Sequence, residues 1–209
     1  MDVERRTPAN TAIVLIDYIT GFANIFRSQT IEANVNGAVA LAKTALGFGA
    51  PLIVTSGPEG DPRGGLYPEL RSVIGEHPVI HRSGSFDAFD FPGFAQAVED
   101  SGVRHLVLAG LMTDGCVHHT ALGALRRDYS VSVVVDATAD ENPEIHQAAL
   151  TRLTQLGVVP RSWLSLAAEF QRTYENFDTL PVFMDLLQTQ APKYAMSLAT
   201  LAPAPQVAP

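Results

Sequence analysis

The sequence predicts an α/β protein: a three-layer α/β/α sandwich built on a mainly parallel, Rossmann-like six-stranded sheet, with a C-terminal helical extension. Three observations predict it. Continuous apolar runs such as TAIVLI (residues 11–16) and SVSVVV (130–135) read as strands buried on both faces. These runs alternate with stretches of helical apolar spacing, as at Val35, Val39, Ala42 and Leu46. The chain has 209 residues, 46% hydrophobic and 17% charged, which is enough to bury one sizeable core.

Residues 11–16 form the first strand, ending at Asp17, and residues 18–30 a loop with a short helix. Residues 31–48 are helical and are stopped by Gly49-Ala50-Pro51. A second strand at 52–54 leads into the turn-rich SGPEGDPRGG (56–65), then one or two helical turns within 67–75. A third short strand at 79–80 precedes HRSGSFDAF (81–89), and a helix at 94–101 is closed by Gly102. The fourth strand, 105–109, is followed by a helix over 114–127, and the fifth, 130–135, ends at Asp136. A helix at 143–156 and a sixth short strand at 158–159 complete the sheet. Residues 163–189 read as two helical pieces broken at Pro181 that the sheet does not need for closure. The expected organisation is one α/β domain over 1–162, a helical extension over 163–200 that makes an oligomer contact, and a disordered Pro/Ala tail over 201–209.

Net charge is −8 and no basic run occurs, which argues against nucleic acid as a partner. No apolar run is long enough for a membrane span, and the first ten residues lack a signal-peptide pattern. With one cysteine there is no intramolecular disulfide and no thiolate metal cluster. These features predict a cytoplasmic protein.

That single cysteine, Cys116, falls where the fourth strand turns into a helix. Unpartnered N–H groups and the positive end of a helix dipole at such a turn favour thiolate over thiol. Ligands of open α/β sheets sit beyond the carboxyl ends of the strands. Asp17, Arg82 (or its neighbour His81) and Cys116 all fall at such ends. Acid, cation and thiol together suit nucleophilic catalysis: the cation stabilises sulfur, the carboxylate moves its proton, and backbone N–H groups of the turn hold an oxyanion. Taken singly, each has a plainer reading, as a buried thiol, a helix-capping acid or an ion-paired arginine. His118 and His119 read as ordinary helix residues, and His81, His105 and His146 show no ligand spacing.

The motifs AIVLID17, HRSGSFDAF and GLMTDGCV117 followed by TALGA124, together with VSVVVDATAD140, resemble in order the isochorismatase-like, or cysteine hydrolase, superfamily. PVIHRSGSFDAFD and Glu141-Asn142 look like its YcaC-like subgroup. The resemblance implies Cys116 as nucleophile, Asp17 as general base and acid, Arg82 in place of a family lysine, a cis peptide at Leu111–Met112, and an oxyanion hole made by Met112 and Cys116. It also implies a substrate pocket of Phe22, Phe26, Phe86, Phe89, Thr113 and Asp140. The arginine is a departure, because it keeps the charge but cannot relay a proton. The loop after the second strand has no histidine for the Asp-x-His metal pair of nicotinamidases, so neither metal nor cofactor is expected. The resemblance further implies a homo-oligomer, tetramer or octamer, acting on a small-molecule substrate.

The reading these residues favour is a metal-independent cysteine hydrolase of a small amide C–N bond. Two alternatives are vinyl-ether hydrolysis of the isochorismatase type, which needs Asp17 but no thiol, and a non-enzymatic oligomeric small-molecule binder or thiol sensor. The last predicts a thiol that alkylates no faster than a free one at neutral pH.

Overall fold

The computed structural model describes residues 4–201. The strands β1 (Thr11–Ile16), β2 (Leu52–Ser56), β3 (Val79–His81), β4 (His105–Leu111), β5 (Ser130–Ala139) and β6 (Val159–Arg161) form one sheet. Its order is β3-β2-β1-β4-β5-β6 and every neighbouring pair is parallel. The chain therefore winds outward one way from β1 and then restarts at β4 to wind the other way. The gap between the carboxyl ends of β1 and β4 is the switch point at which such sheets bind ligands.

All of β1 and β4 is buried, as continuous apolar runs predict for central parallel strands. Alternate residues feed two layers. Ile13 and Leu15 join a core with α1 (Ile31–Phe48), α2 (Pro68–Ile74), α6 (Trp163–Gln171) and α7 (Leu180–Gln190). Ala12, Val14 and Ile16 join the other with α3 (Pro92–Asp100), α4 (His118–Leu125) and α5 (Pro143–Gln155). Helix α1 begins where the Thr30 hydroxyl accepts from the Ala33 N–H at 3.1 Å, and α5 where the Asn142 side chain accepts from Ile145 at 2.9 Å.

The structure departs from the sequence expectations in four places. First, β5 continues to Ala139, so Asp136 lies inside the strand and Asp140 stands at its end. The register explains why: Leu108 pairs with Val133 and Gly110 with Thr138, so β5 bulges, and its apolar pattern breaks there without the strand ending. Second, the helix expected over 114–127 is a π-helical turn, Thr113–Val117, followed by α4. Third, Pro181 does not break a helix. It sits in the first turn of α7, where its missing N–H costs nothing, and the break is the irregular stretch 172–179. Fourth, a further helix, α8 (Pro192–Leu201), follows. The expected disordered tail lies outside the described residues except for Leu201, which ends α8.

Trp163, Leu166, Phe170, Phe183 and Leu186 of α6 and α7 are buried in the same core as β1 and α1. Gly110 matters at the centre of the sheet. Its φ of +148° is one that L side chains rarely adopt, and a Cβ there would lie 2.0 Å from the Ile16 carbonyl oxygen.

Candidate active site

Asp17 is the first residue beyond β1, and its φ of +53° puts it in the left-handed region, which Asp tolerates better than most residues. Its N–H donates to the Thr55 carbonyl at 3.2 Å, and its carbonyl accepts from Ile19 at 2.7 Å. This tight turn swings a buried carboxylate back over the strand ends. The Thr55 hydroxyl donates to Asp17 Oδ1 at 2.7 Å, and Arg82 Nη2 donates to Asp17 Oδ2. Arg82 leaves β3, and its other arm, Nη1, donates to the Ser85 carbonyl at 2.7 Å. Acid and cation are thus a buried, hydrogen-bonded ion pair, the form in which buried charges are tolerated. His81 is turned away, its Nδ1 paired with the Gly57 carbonyl at 2.8 Å, so Arg82 is the cation of the pair.

Cys116 is partly buried, and its thiol lies close enough to the Asp17 carboxylate and the Arg82 guanidinium for both to act on its proton. The three residues picked from strand ends are therefore brought together at one site. The thiol is not the standing thiolate that a helix start suggests, however. Burial and the adjacent Asp17 charge push it up to about 11, and Arg82 only partly opposes them. Nor does the thiol sit at a regular helix start: Cys116 belongs to the π-helical turn, Gly115 within it has φ −107° and ψ −112°, and regular helix begins only at His118.

Met112 carbonyl oxygen accepts from the N–H groups of Gly115 at 3.1 Å and Val117 at 3.2 Å, which curls the turn around the sulfur. The Leu111–Met112 peptide is cis. Asp140, at the end of β5, braces the turn from outside. Its Oδ2 accepts from the Asp114 N–H at 2.6 Å and its Oδ1 from Glu141 at 2.8 Å. Thr113 is buried, with its hydroxyl 2.8 Å from His146 Nδ1. Asp140 and Thr113, expected as pocket lining, spend their polar atoms on the protein.

The four phenylalanines divide. Phe22 lies beneath the Arg63 guanidinium, 5.2 Å from its ring centroid. Phe26 is fully buried in the core with β1 and α1. Phe89, expected in the lining, packs edge-on against Phe94 at 5.0 Å, with Arg127 over its ring at 4.7 Å, in the core of the opposite layer. Burial of a large apolar ring outweighs its closeness in sequence to Arg82. Phe86 is 64% exposed and stacks on His119.

Sequence reasoning missed Thr55, His146 and Arg63. Thr55 was within reach, because β2 lies beside β1 and its carboxyl end must meet Asp17. Arg63 looked like an ordinary turn residue of SGPEGDPRGG, yet its positive charge feels both the Asp17 carboxylate and the Cys116 sulfur. His105 lies at the opposite end of β4, where it pairs with Glu4 at 2.9 Å. Among the described residues, no group of three or more His, Cys, Asp or Glu side chains is placed to hold a metal ion, and no helix is long and apolar enough to cross a membrane.

A parallel sheet that brings an acid, a cation and a thiol together at its switch point has the makings of an enzyme site, and the family is shown independently. The isochorismatase domain model matches residues 11–164, so the chain belongs to that family and is one of its hydrolases. It is 33% identical over 167 residues, 80% of each chain, to the probable hydrolase YcaC of Escherichia coli. The crystal structure of that gene product, described as an octameric hydrolase of unknown specificity, superposes with a TM-score of 0.89 over 96% of this chain and 97% of the other at 29% identity. YcaC from Pseudomonas aeruginosa, solved with hexane-2,5-diol and covalent acrylamide, superposes with a TM-score of 0.91 at 31% identity, covering 97% of this chain and 100% of that one. The ureidoacrylate amidohydrolase RutB of Pseudomonas syringae is 27% identical over 222 aligned positions, 81% of this chain and 86% of the other.

Proposed function

We propose that the protein is a metal-independent cysteine hydrolase that cleaves the C–N bond of a small amide through a Cys116 thioester. The observation that carries this reading is the thiol set beside both members of a buried, hydrogen-bonded Asp17–Arg82 pair. A protonated thiol against a carboxylate is poised for general-base catalysis: Asp17 takes the proton as sulfur attacks the carbonyl carbon. Oxygen then carries the developing charge, and the N–H groups of Met112 and Cys116 are the proposed donors to it. Collapse breaks the C–N bond and the amine leaves with the proton held on Asp17. Water then gives its proton to Asp17 and its hydroxide to the thioester. The acid departs, and sulfur recovers its proton.

Arg82 does not relay a proton in this scheme, because a guanidinium does not give one up. It holds Asp17 in place and offsets its charge. The covalent acrylamide on the P. aeruginosa relative supports the reading, since acrylamide is a small amide whose alkene reacts with thiols. The amidohydrolase activity named for RutB supports the choice of bond. A homo-oligomer belongs to the proposal too, with residues 163–200 supplying contacts. The octamer of E. coli YcaC and the exposed Phe177 and Met196 support it.

The test is turnover of a panel of small amides, read as released ammonia. Cys116→Ala should abolish it, and Asp17→Asn should lower it by roughly 10²-fold or more, the usual scale for a general base. Full activity in Cys116→Ala overturns the thioester.

A further inference from the structure

The cysteine turn, Thr113–Val117, packs against the connection from β5 to α5. That connection is pinned at both ends. The Asp140 N–H donates to the Ser28 hydroxyl at 2.8 Å, and the Asp140 carbonyl accepts from the Arg27 N–H at 2.9 Å. Asn142 caps α5 and Pro143 opens it, so His146 rides on the first turn of a helix with a fixed start. Its ring nitrogen Nδ1 lies 2.8 Å from the Thr113 hydroxyl. Thr113 is fully buried, and this is its hydroxyl's one hydrogen bond among the described residues. A buried hydroxyl left unpaired is costly, so the turn depends on this partner.

Thr113 is where the turn is joined to its surroundings. Its carbonyl accepts from the N–H of His118, the first residue of α4. Before it in the chain is Met112, whose carbonyl gathers the Gly115 and Val117 N–H groups. After it is Asp114, whose N–H is held by Asp140. Fixing the Thr113 side chain therefore fixes the peptides that lead to Met112 and to Cys116. His146 is suited to do so without adding charge beside the turn. Burial pushes it below the ordinary histidine range, against the pull of the Asp140 carboxylate, so at neutral pH the ring is uncharged. No step of the proposed reaction uses this ring directly.

We propose that His146 is a positioning residue: through the Thr113 hydroxyl it holds the cysteine turn, and with it the Met112 and Cys116 N–H groups, in the shape the reaction uses. The oxyanion part of this role rests on the thioester reading, and the hold on the turn does not. The plainer alternative is a ring that only fills space beside the turn. In that case the nitrogen is dispensable and the ring is not.

The experiment keeps the volume and removes the bond. His146→Phe retains a ring, and His146→Asn returns a polar atom to where Nδ1 stood. His146→Phe should lower kcat for amide turnover about tenfold or more with KM within about twofold, since a misplacement of about 1 Å can cost about 10²-fold. Iodoacetamide capture of Cys116 at neutral pH should speed up about threefold or more, because a loosened turn admits water to a thiol that burial keeps protonated. His146→Asn should recover most of both. Thr113→Val removes the other partner of the same bond, so its effects should not add to those of His146→Phe in the double variant. Wild-type values in His146→Phe, a His146→Asn protein no better than His146→Phe, or additive effects would each overturn the proposal. The thermal midpoint checks folding. If His146→Phe does not fold, Thr113→Ser is set against Thr113→Val: the serine should behave as wild type, and a serine no better than the valine overturns the proposal. A wild type that turns over no amide rejects the reaction, and capture, which needs no substrate, still decides whether His146 holds the turn.

Discussion

Cys116 carries its proton at neutral pH because burial disfavours the thiolate and a carboxylate shares its site. Slow alkylation at neutral pH is thus expected of the enzyme itself and does not separate it from a thiol sensor; turnover does. The raised thiol also bears on stability. The unfolded chain loses this proton near pH 9 and the folded one near 11, so above pH 9 the unfolded state binds fewer protons and stability falls with rising pH. The fall reaches about 2 kcal/mol by pH 11 and is read as the difference between wild type and Cys116→Ala in denaturant melts across pH 8–11, because the raised, buried Tyr18 and Tyr67 add their own fall near the top of that range in both proteins. Thr55 is the second residue-scale case. Thr55→Val keeps the shape but strips a buried carboxylate oxygen of its donor. It should cost about 1–3 kcal/mol in denaturant melts and lower kcat, because Asp17 is then held by Arg82 alone.

At the scale of elements, the strands were legible because central parallel strands bury both faces, and TAIVLI and HLVLA have no other use for their apolar runs. Asp17, Arg82 and Cys116 were legible for the same reason, since strand ends define where a site lies. What was hidden depends on register and on turns. The bulge that carries β5 to Ala139 is invisible in a pattern whose alternation simply breaks at Asp136. The π-helical turn is equally invisible, since nothing in TDGCV (Thr113–Val117) sets it apart from the start of an ordinary helix. Arg63 was hidden because a turn-rich loop shows no period from which to read where it docks. The cysteine turn is built by Asp140, which spends its Oδ2 on the Asp114 N–H. Asp140→Ala should lower amide turnover while leaving the sheet intact by circular dichroism. An Asp140→Ala protein with unchanged kcat would show that the turn holds its shape without the brace. Gly110→Ala, by contrast, forces a Cβ against the Ile16 carbonyl and should cost stability itself, about 2 kcal/mol or more, read as a lowered thermal midpoint.

For the whole molecule, two apolar cores clamp the sheet and leave its β1–β4 switch point as the place where chemistry collects. The C-terminal helices α6 and α7 share the larger core, so they steady α1 and the sheet in addition to any contact they make outside. Phe177 is 73% exposed and Met196 71%, two large apolar side chains of the C-terminal segment that a partner could cover. Under the proposed oligomer, Phe177→Asp should shift the mass measured by light scattering toward the monomer while leaving the chain folded. A wild-type protein that is monomeric at micromolar concentration would remove that part of the proposal.

The most direct test of the central claim, that Asp17 holds and moves the Cys116 proton, is the pH dependence of iodoacetamide capture followed by intact mass in the wild type and in Asp17→Asn. One cysteine in the chain makes the signal unambiguous. The account predicts a wild-type rate that keeps climbing with pH toward about 11. In Asp17→Asn the neighbouring charge is gone and Arg82 remains, so the profile moves to lower pH and capture at neutral pH speeds up while amide turnover collapses. An Asp17→Asn profile that stays in place or moves to higher pH would contradict it.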